Sequence, residues 1–388
     1  MSRDLKILSA AMLTWGLGEG MFLIFLPLYI QQFGADPTLI GTVLGINGLS
    51  MSVSQIPAGF LADKIGRRPV MWFSWVMGVI ATSVMALAPS LTVFVIGLIL
   101  YGVTSSVVAP LNTYVQGARG GWSVGKAVTF ISAAYNTGGI LGPIIGGFIG
   151  DAFSMRSVYF GAAGLFFIST SIVFFISEQP ISERLSNLGS TRLWRNQRFM
   201  KMLIIIFLIM FAVTLPQPMA ANFLQNQRGF SLSRIGQLGS IGALGSVILM
   251  LAFGHQPAGI AFLIGQVGLM LFSFLLWQGE GLLWVGLGYF ALGGYRLCRA
   301  MTVALVRPVV REQEVGLAFG FVESLNAFAF VVAPILAGFV YDWRPIAIFP
   351  ISMGVIALTI LLTIRYVRRN GHDPDDVAEE PMNLFRGK

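Results

Sequence analysis

Apolar residues form long runs along this chain, and short polar turns separate the runs. A helix rises about 1.5 Å per residue, so about 20 apolar residues span a bilayer. Because hydrocarbon offers no water to backbone polar groups, runs of this length must be helical there. We count twelve runs, at about 6–33, 38–62, 69–88, 91–117, 124–150, 157–177, 200–227, 231–253, 257–277, 281–306, 313–341 and 345–366. The pattern therefore predicts an all-α membrane protein with twelve transmembrane helices.

The second half of the chain repeats the first half. Runs one and two match runs seven and eight at an offset of 195 residues, and runs four and five match runs ten and eleven at an offset of 191. In the fifth run, Gly125, Pro143, Gly147 and Asp151 match Gly316, Pro334, Gly338 and Asp342. A chance agreement of small residues would not keep a constant offset. The repeat predicts two pseudo-symmetric six-helix bundles with a site between them near the midplane.

Polar stretches set the boundaries of the two bundles. We predict an N-terminal six-helix bundle at 1–177, a cytoplasmic linker at 178–199, a C-terminal six-helix bundle at 200–367 and a cytoplasmic tail at 368–388. The tail is polar and rich in acidic residues, so we expect it to be disordered.

Composition and cysteine usage exclude several classes of protein. Hydrophobic residues make up 55% of the 388 residues and charged residues only 11%, far from the balance of a soluble domain. Cys298 is the single cysteine, and His255 and His372 lie far apart, so we expect no disulfide, no metal site and no cofactor. The sequence also offers no nucleophile–base pair at one depth, so we expect no catalytic residues and no enzyme activity.

Lysine and arginine are distributed unevenly between the two sides of the predicted membrane. With the N-terminus inside, nineteen of the 25 basic residues fall in inner loops or tails, four in outer loops and two inside a run. Cytoplasmic loops of membrane proteins carry such an excess. We therefore predict a multi-pass protein of the cell (inner) membrane with both termini in the cytoplasm. Because the basic residues spread along one membrane face, they indicate no nucleic-acid partner.

The loop between the second and third runs carries a charged motif, Gly59, Asp63, Gly66, Arg67 and Arg68 within AGFLADKIGRRP. This motif resembles the pattern G-x-L-a-D-x-x-G-R-[RK] of the major facilitator superfamily of secondary transporters. The resemblance implies a gating loop, in which Asp63 helps to hold the inner gate. The alternative is a short cytoplasmic loop that only satisfies the charge rule.

The fifth run carries a second motif, made of Gly138, Gly142, Pro143, Gly146 and Gly147. Small residues at this spacing let a neighbouring backbone approach closely, and the proline allows a bend. The motif resembles the G-x-x-x-G-P-x-x-G-G pattern that the superfamily associates with exporters, especially proton-driven drug antiporters. The alternative is tight packing with no bearing on the direction of transport.

Two departures from the family pattern concern the coupling residues. The family usually has an arginine four residues before Gly102, which it links to proton coupling, whereas this chain has Leu98 there. The family's loop arginine often pairs with a carboxylate at the inner end of helix 4, but no acid lies between Asp63 and Asp151. Arg67 must therefore bind backbone carbonyls or lipid phosphate, or have no partner.

Four charged residues lie deep inside apolar runs: Glu19, Arg296, Arg299 and Glu323. Counted from the inner charges, Glu19, Arg296 and Glu323 lie about 20, 17 and 18 Å deep, near the midplane. A lone charge at that depth costs at least about 2.5–3.5 kcal/mol on insertion scales. We therefore expect the four charges to pair across a polar cavity, with the two arginines on one helix face. A purely structural salt bridge is the alternative.

The resemblance places helices 1, 4, 7 and 10 around a central cavity, with helices 2, 5, 8 and 11 beside them. On this basis the candidate substrate-binding residues are Arg296, Arg299, Trp15, Phe22, Asn47, Gln55, Asn112, Asn136, Gln217 and Asn326. Glu19 and Glu323 are the candidate proton carriers, because a carboxyl can be neutral when desolvated and ionised beside an arginine.

These features favour a monomeric secondary transporter that exports amphipathic small molecules or drugs by alternating access, in exchange for protons. Within the transporter class, the alternative is a carrier for an organic anion, a sugar or a lipid headgroup, with Arg296 and Arg299 as an anion clamp. A receptor or scaffold would need neither the charged loop nor the midplane charges. The expected partners are a small-molecule substrate, protons and the lipid bilayer.

The predicted topology can be tested with two reporters. A reporter fused after Lys388 and a tag inserted near Arg192 should both lie in the cytoplasm, because the basic residues concentrate on that side. The measurement is the compartment-specific activity of each reporter in intact cells. Labelling of either site from outside the cell would reverse the orientation.

Overall fold

The computed structural model of the chain describes residues 1–179, 196–306, 309–310 and 315–370. Within these residues the regular structure is helical, with sixteen α-helices. They are α1 Arg3–Leu23, α2 Leu26–Gln32, α3 Pro37–Ile65, α4 Arg67–Leu87, α5 Leu91–Val103, α6 Val108–Ala118, α7 Val124–Ala152, α8 Met155–Val173, α9 Gln197–Thr214, α10 Ala220–Arg228, α11 Leu232–Phe253, α12 Ala258–Gln278, α13 Gly281–Leu292, α14 Gly294–Val306, α15 Val315–Trp343 and α16 Ile348–Asn370. The predicted all-α fold class is thereby confirmed.

Several predicted runs consist of two helices rather than one. The axes of α1 and α2 differ by 47°, and a short 3₁₀ segment, Thr104–Val107, joins α5 to α6. In the described residues, ten helical stretches are long and apolar enough to cross a membrane, or eleven if α1 and α2 form one span. The predicted run 281–306 is not among them, since it divides at Gly293 into α13 and the arginine-containing α14.

Local sequence signals fix where the helices begin. Side chains of Asp36, Ser154 and Ser231 each accept a hydrogen bond from a backbone N–H in the first turn of α3, α8 and α11. Such caps satisfy donors that a helix leaves unpaired. Gly66 ends α3 and begins α4 with φ +94°, a conformation that glycine adopts without steric cost.

Two predicted boundaries differ slightly from the helix ends. Helix α9 begins at Gln197, three residues before the predicted start of the second bundle, and α16 continues to Asn370, past the predicted end at 367. Most of the linker, 180–195, and the tail from 371 onwards lie outside the described residues.

The helices form two bundles with the same internal packing, as the repeat predicts. In the first bundle α1 packs on α7 and α8, while α4 packs on α5 and α8. In the second bundle α9 packs on α15 and α16, while α12 packs on α13 and α16. The bundles meet mainly through α3 against α15 and α7 against α11.

Backbone contacts join the bundles at one end of the molecule. We call this the far end, which carries the turns at 33–36, 153–154 and 229–231, and we call the end with the Gly66 turn the hinge end. A Cβ on Gly236 would overlap the carbonyl oxygen of Pro143, and a Cβ on Gly41 would overlap that of Pro334. These two contacts are related by the repeat. The two prolines are 191 residues apart, and the two glycines are 195 residues apart.

Hydrogen bonds strengthen the same far-end contacts. The carboxylate of Asp151 accepts from the backbone N–H groups of Leu232 and Ser233, at 3.0 and 2.7 Å, where α11 begins. A carboxylate at a helix N-terminus is electrostatically favourable. The repeat partner, Asp342, accepts from the Thr38 hydroxyl at 3.3 Å. The far end is therefore closed by both packing and polar contacts.

We expect bulk at Gly236 to open the far end. An alanine there must push α11 away from Pro143, and overpacking of this kind costs about 1–3 kcal/mol, which shifts a two-state population about 5- to 150-fold. Spin labels at exposed Gln32 and Gln227 should report a longer inter-label distance in Gly236→Ala, and buried Cys298 will not compete for label. Gly164→Ala, which has open space around its Cβ, is the control. An unchanged distance distribution in Gly236→Ala would contradict the far-end gate.

Candidate functional site

A cavity of about 220 Å³ lies between the two bundles, on the hinge-end side of the far-end contacts. Arg296 from α14 contributes to it from the second bundle, and the other lining residues come from α1, α6 and α7 of the first bundle. The lining residues are Met12, Leu111, Asn112, Val115, Val128, Ile131, Ser132, Tyr135, Asn136 and Arg296. The wall thus combines an apolar surface with hydroxyl, amide and guanidinium groups, which suits an amphipathic ligand.

Arg296 crosses the cavity and contacts the opposite bundle. Its Nη1 donates a hydrogen bond of 2.6 Å to Oδ1 of Asn136. Within the described part of the chain, no carboxylate oxygen lies within 4.0 Å of the Arg296 guanidinium. Since a guanidinium has five N–H donors, most of its donors remain available in the cavity.

Glu19 is held inside the first bundle by a tyrosine. The Tyr135 hydroxyl donates a hydrogen bond of 2.7 Å to Oε2 of Glu19, joining α7 to α1. The Tyr101 side chain lies beside the same carboxylate, although it does not line the cavity. Tyr135 itself lines the cavity, so it stands between Glu19 and the space where a ligand would lie.

Arg299 and Glu323 form an ion pair within the second bundle. The Arg299 Nη2 and Glu323 Oε2 atoms lie 3.2 Å apart, and the two side chains are 46% and 42% exposed. This pair is thus separate from Arg296 and Glu19. The four midplane charges form three local arrangements, one ion pair and two charges bonded to neutral side chains, rather than one mutually paired cluster.

Two predicted substrate-binding aromatics lie in the core of the first bundle. Trp15 is 8% exposed and packs on Trp75 and Phe166, with ring centroids 5.3 and 4.2 Å away. Phe22 is fully buried against Tyr101. Neither is among the cavity-lining residues. In this structure α1 directs both side chains towards α4, α5 and α8, and not towards the cavity as the sequence predicts. Their role in substrate binding stays a prediction.

The predicted polar residues divide in a similar way. Asn112 and Asn136 line the cavity, as proposed from the sequence. Asn47 is buried with its Nδ2 3.9 Å from the Met51 sulfur, and Gln217 donates to the Val213 carbonyl at 2.6 Å. Gln55 is half-buried on α3. Asn326 is 1% exposed, and its amide has no hydrogen-bond partner among the described residues.

The hinge arginines bind groups at the end of the first bundle. Arg67 donates to Oε1 of Gln179 at 3.0 Å and to the Thr113 carbonyl at 3.4 Å. The longer bond is to a backbone carbonyl, as one of the expected alternatives has it, but the shorter bond is to a side-chain amide that the sequence did not indicate. Arg68 stacks over Trp72, 4.1 Å from the ring centroid, with Glu178 at 3.9 Å. Gly59 and Asp63 lie in the last two turns of α3. The motif therefore connects the α3–α4 turn to α6 and to the first linker residues.

The glycines of the second motif lie on α7 and bring α7 close to α1 and α11. A Cβ on Gly138 or Gly146 would overlap the backbone of α1, and one on Gly142 would lie 2.5 Å from the Leu17 carbonyl oxygen. Gly147 instead faces α11, and Pro143 contacts both helices, α11 through its carbonyl oxygen and α1 through its ring. Their predicted packing role is thus observed on two faces of α7.

Sequence reasoning missed Tyr135, the residue that joins Glu19 to the cavity. A buried carboxylate needs a hydrogen-bond donor, and this requirement is a signal that could have found it. Tyr135 precedes Asn136 and lies three residues after Ser132, on the polar part of the same run. Tyr101 carries a weaker signal, because its neighbours from 93 to 103 are all apolar residues or glycine.

Comparisons of the sequence with known proteins identify a family and several relatives. The family model of the Major Facilitator Superfamily matches residues 8–294. The class B tetracycline resistance protein of Escherichia coli is 25% identical, with 95% of this chain and 96% of that protein covered. The multidrug resistance protein MdtG of Proteus mirabilis (strain HI4320) is 24% identical, with 89% and 91% covered.

Solved structures resemble the fold as well. The crystal structure of the nucleoside transporter NupG has a TM-score of 0.79 at 16% identity, covering 94% of this chain and 98% of that chain. The human organic anion transporter MFSD10 has a TM-score of 0.67 at 17% identity, covering 93% and 99%. At these identities the likeness concerns the fold alone.

The division between core and cavity residues predicts opposite mutant effects. Phe22→Ala should lower the free energy of unfolding by about 3–5 kcal/mol, because it removes a fully buried ring. Asn112→Ala should change stability by less than about 0.5 kcal/mol, since the side chain is exposed in the cavity, and should weaken substrate binding about three- to tenfold. Thermal unfolding in detergent and substrate-binding titration measure the two effects. A Phe22→Ala protein of normal stability and altered substrate choice would return Phe22 to the cavity wall.

Proposed function

This chain belongs to the major facilitator superfamily, and on that premise we propose that it is a proton-coupled exporter of amphipathic small molecules. The observation that carries the proposal is the cavity between the bundles, closed at the far end and bordered by an acid that a cavity-lining tyrosine holds. A site between two repeats near the midplane is the arrangement used for alternating access.

The charge distribution supports an orientation for this state. We infer that the hinge end faces the cytoplasm, because the inner loops carry the excess of arginine and lysine. The conformation is then inward-facing, with the far end closed towards the outside. A substrate would enter from the cytoplasm or inner leaflet and leave after the contacts at Pro143 and Pro334 separate. The chain would work as a monomer, since the cavity lies within a single copy.

Glu19 and Glu323 would carry the protons. An ionised Glu19 is stabilised by the Tyr135 hydroxyl, and an ionised Glu323 by the Arg299 guanidinium. Protonation weakens both arrangements, because it removes the charge that strengthens the hydrogen bond. In an exporter, protons arriving from outside would take these sites when the far end opens.

The proposed substrates are drugs or drug-like amphipathic molecules. The relatives named for tetracycline resistance and multidrug resistance support this class, and so does the mixed apolar and polar wall of the cavity. The pattern of glycines around Pro143 supports export as the direction.

An organic-anion carrier is the second candidate, and one observation favours it. Arg296 has no carboxylate partner within 4.0 Å among the described residues, so it could bind an anionic group. A clamp of two arginines is less favourable, because Arg299 is already paired with Glu323.

Reconstitution into proteoliposomes with an imposed pH gradient tests the proposed function. Tetracycline and a panel of amphipathic cations, zwitterions and anions are the probes, and the readout is substrate-induced proton flux. An exporter should move protons opposite to the substrate. Proton movement in the same direction as an anion would support the second candidate, and no proton movement with any probe would refute the coupling.

Substituting the two acids should separate coupling from structure. Glu323→Gln cannot release a proton, so gradient-driven transport should fall to background, while substrate-for-substrate exchange, which needs no net proton movement, should continue. Glu19→Gln is the matched variant at a similar depth in the first bundle. Both transport modes are measured in the same proteoliposomes.

A purely structural ion pair predicts another outcome for Glu323→Gln. The substitution would leave the Arg299 charge unpaired and reduce protein yield or both transport modes together. If both glutamine variants kept full gradient-driven transport, neither acid would be the proton carrier.

A further inference from the structure

Tyr135 occupies the position between the proposed proton site and the cavity. Its hydroxyl is 2.7 Å from Oε2 of Glu19, and its side chain forms part of the cavity wall. The next residue, Asn136, accepts the hydrogen bond from Arg296. Two consecutive residues of α7 therefore contact an acid of the first bundle and a base of the second.

The backbone holds Tyr135 firmly in this place. Gly16 of α1 lies against the Tyr135 carbonyl, where any Cβ would overlap it. Gly138 and Gly142 continue the same close contact with α1 one and two turns later. The distance between Glu19 and Tyr135 is thus set by the packing of α1 on α7, and not by a mobile loop.

Whether Tyr135 or Glu19 donates the hydrogen bond between them depends on whether the Glu19 carboxyl is protonated. An ionised carboxylate can only accept, so Tyr135 must donate to Glu19, and its lone pairs are the groups left for the cavity. A protonated carboxyl has a donor of its own, and the bond from Tyr135 loses its charge assistance. The tyrosine can then accept from Glu19 and turn its own proton towards the cavity.

We propose that Tyr135 transmits the protonation state of Glu19 to the cavity by reversing its hydrogen bond. This inference rests on the proposed proton-coupled transport. With Glu19 ionised, the wall presents an acceptor at Tyr135, and with Glu19 protonated it presents a donor. No proton leaves the tyrosine, which remains neutral in both states.

The reversal selects a class of substrate group. A hydroxyl, amide or ammonium donor binds the lone pair of Tyr135 only while Glu19 is ionised. A neighbouring carbonyl, enol or carboxylate oxygen can meet the free N–H donors of Arg296. The preferred ligand therefore has a hydrogen-bond donor next to an acceptor on an apolar frame. Protonation of Glu19 turns the donor contact into a clash of two donors and releases the ligand, which is the sign that antiport requires.

The other groups around Glu19 are few in the described residues. Tyr101 on α5 lies beside the carboxylate, and Arg296 on α14 acts on Tyr135 from the cavity side. Where α8 packs on α1, Ala162 and Leu165 lie against Gly18, and Phe166 lies against Trp15. The titratable residue of α8 on this interface is Tyr159, which packs on Phe22. Tyr135 is the one of the two tyrosines beside Glu19 that also borders the cavity.

Infrared difference spectroscopy of the purified full-length protein tests the reversal without any substrate, with a pH step as the probe. In the wild type, the carbonyl band of a protonated glutamic acid should appear together with a shift of one tyrosine C–O band. Tyr135→Phe should lose the tyrosine shift and keep the carboxyl band. Glu19→Gln should lose the tyrosine shift and the part of the carboxyl band that comes from Glu19, with Tyr135 intact, and the part from Glu323 should remain. This variant serves as a second route if Tyr135→Phe folds poorly.

Two further tyrosines provide the controls for the spectra. Tyr159→Phe removes a buried hydroxyl away from Glu19 and should leave the coupled shift unchanged. Tyr101→Phe removes the other hydroxyl beside Glu19 and should also retain it. A coupled shift that persists in Tyr135→Phe, or disappears in Tyr101→Phe alone, would overturn the proposal.

A binding experiment tests the consequence for the substrate found in the proteoliposome screen. The wild-type dissociation constant should rise about three- to tenfold as Glu19 becomes protonated, the effect of one lost hydrogen bond. The dissociation constant of Tyr135→Phe should not depend on pH over the range in which Glu19 becomes protonated in the wild type. If the spectra show the reversal but no probe moves protons, the proposed transport fails and the hydrogen-bond switch stands. If transport is coupled and the spectra show no tyrosine shift, the switch fails and the transport stands.

Discussion

Backbone-to-backbone contact between the two bundles is the constraint on which the rest of this structure depends. At the far end, the carbonyls of Pro143 and Pro334 lie where a side chain on Gly236 or Gly41 would be. Without water to solvate loose contacts, membrane helices associate by close packing of small residues. These contacts close one end, so the space between the bundles can open only towards the hinge end. The position of the cavity, and the groups that line it, follow from that closure.

The two bundles share a scaffold but differ in their chemistry. At the repeat offsets, Glu19 corresponds to Thr214, and Tyr135 corresponds to Asn326. In the other direction, Glu323 corresponds to Ser132. Glycines, prolines and an aspartate that shape the far end are kept in both halves, whereas Glu19, Tyr135 and Glu323 have no ionisable counterpart in the other half. Packing must be symmetric for both interfaces to close together, but a cavity needs different groups on its two walls to orient one ligand.

The sequence predicted the helices that form the site better than the direction in which each helix is turned. Runs of apolar residues and the rise of a helix predict one level for Glu19, Arg296 and Glu323. They could not tell which way each helix is turned, because a fully apolar run has little amphipathic signal. Trp15 and Phe22 were therefore assigned to the cavity although they pack in the core.

Long-range partners were also beyond the reach of the pattern. Arg67 binds Gln179, which lies 112 residues away in the predicted linker. The spacing of nearby residues cannot predict such a contact. Arg299 and Glu323 were correctly grouped because both are charges in hydrocarbon, yet the separate positions of Arg296 and Glu19 required the helix packing. The packing role of the glycine motif of α7 could be predicted, because few residues other than glycine allow two helix backbones to approach closely.

The contacts that close the two ends must balance if the molecule is to alternate between its end states. A transporter populates both end states only if they differ by a few kcal/mol. The far end combines glycine packing with the two backbone bonds of Asp151, and these must all be lost when it opens. Equivalent contacts must then form at the hinge end, where Gly66 and the arginines of the α3–α4 turn lie. Arg296 reaches from one bundle to the other at the cavity, and it lies between the far-end contacts and the hinge-end contacts. A ligand that takes up its free donors and also contacts the first-bundle wall therefore bridges the two bundles.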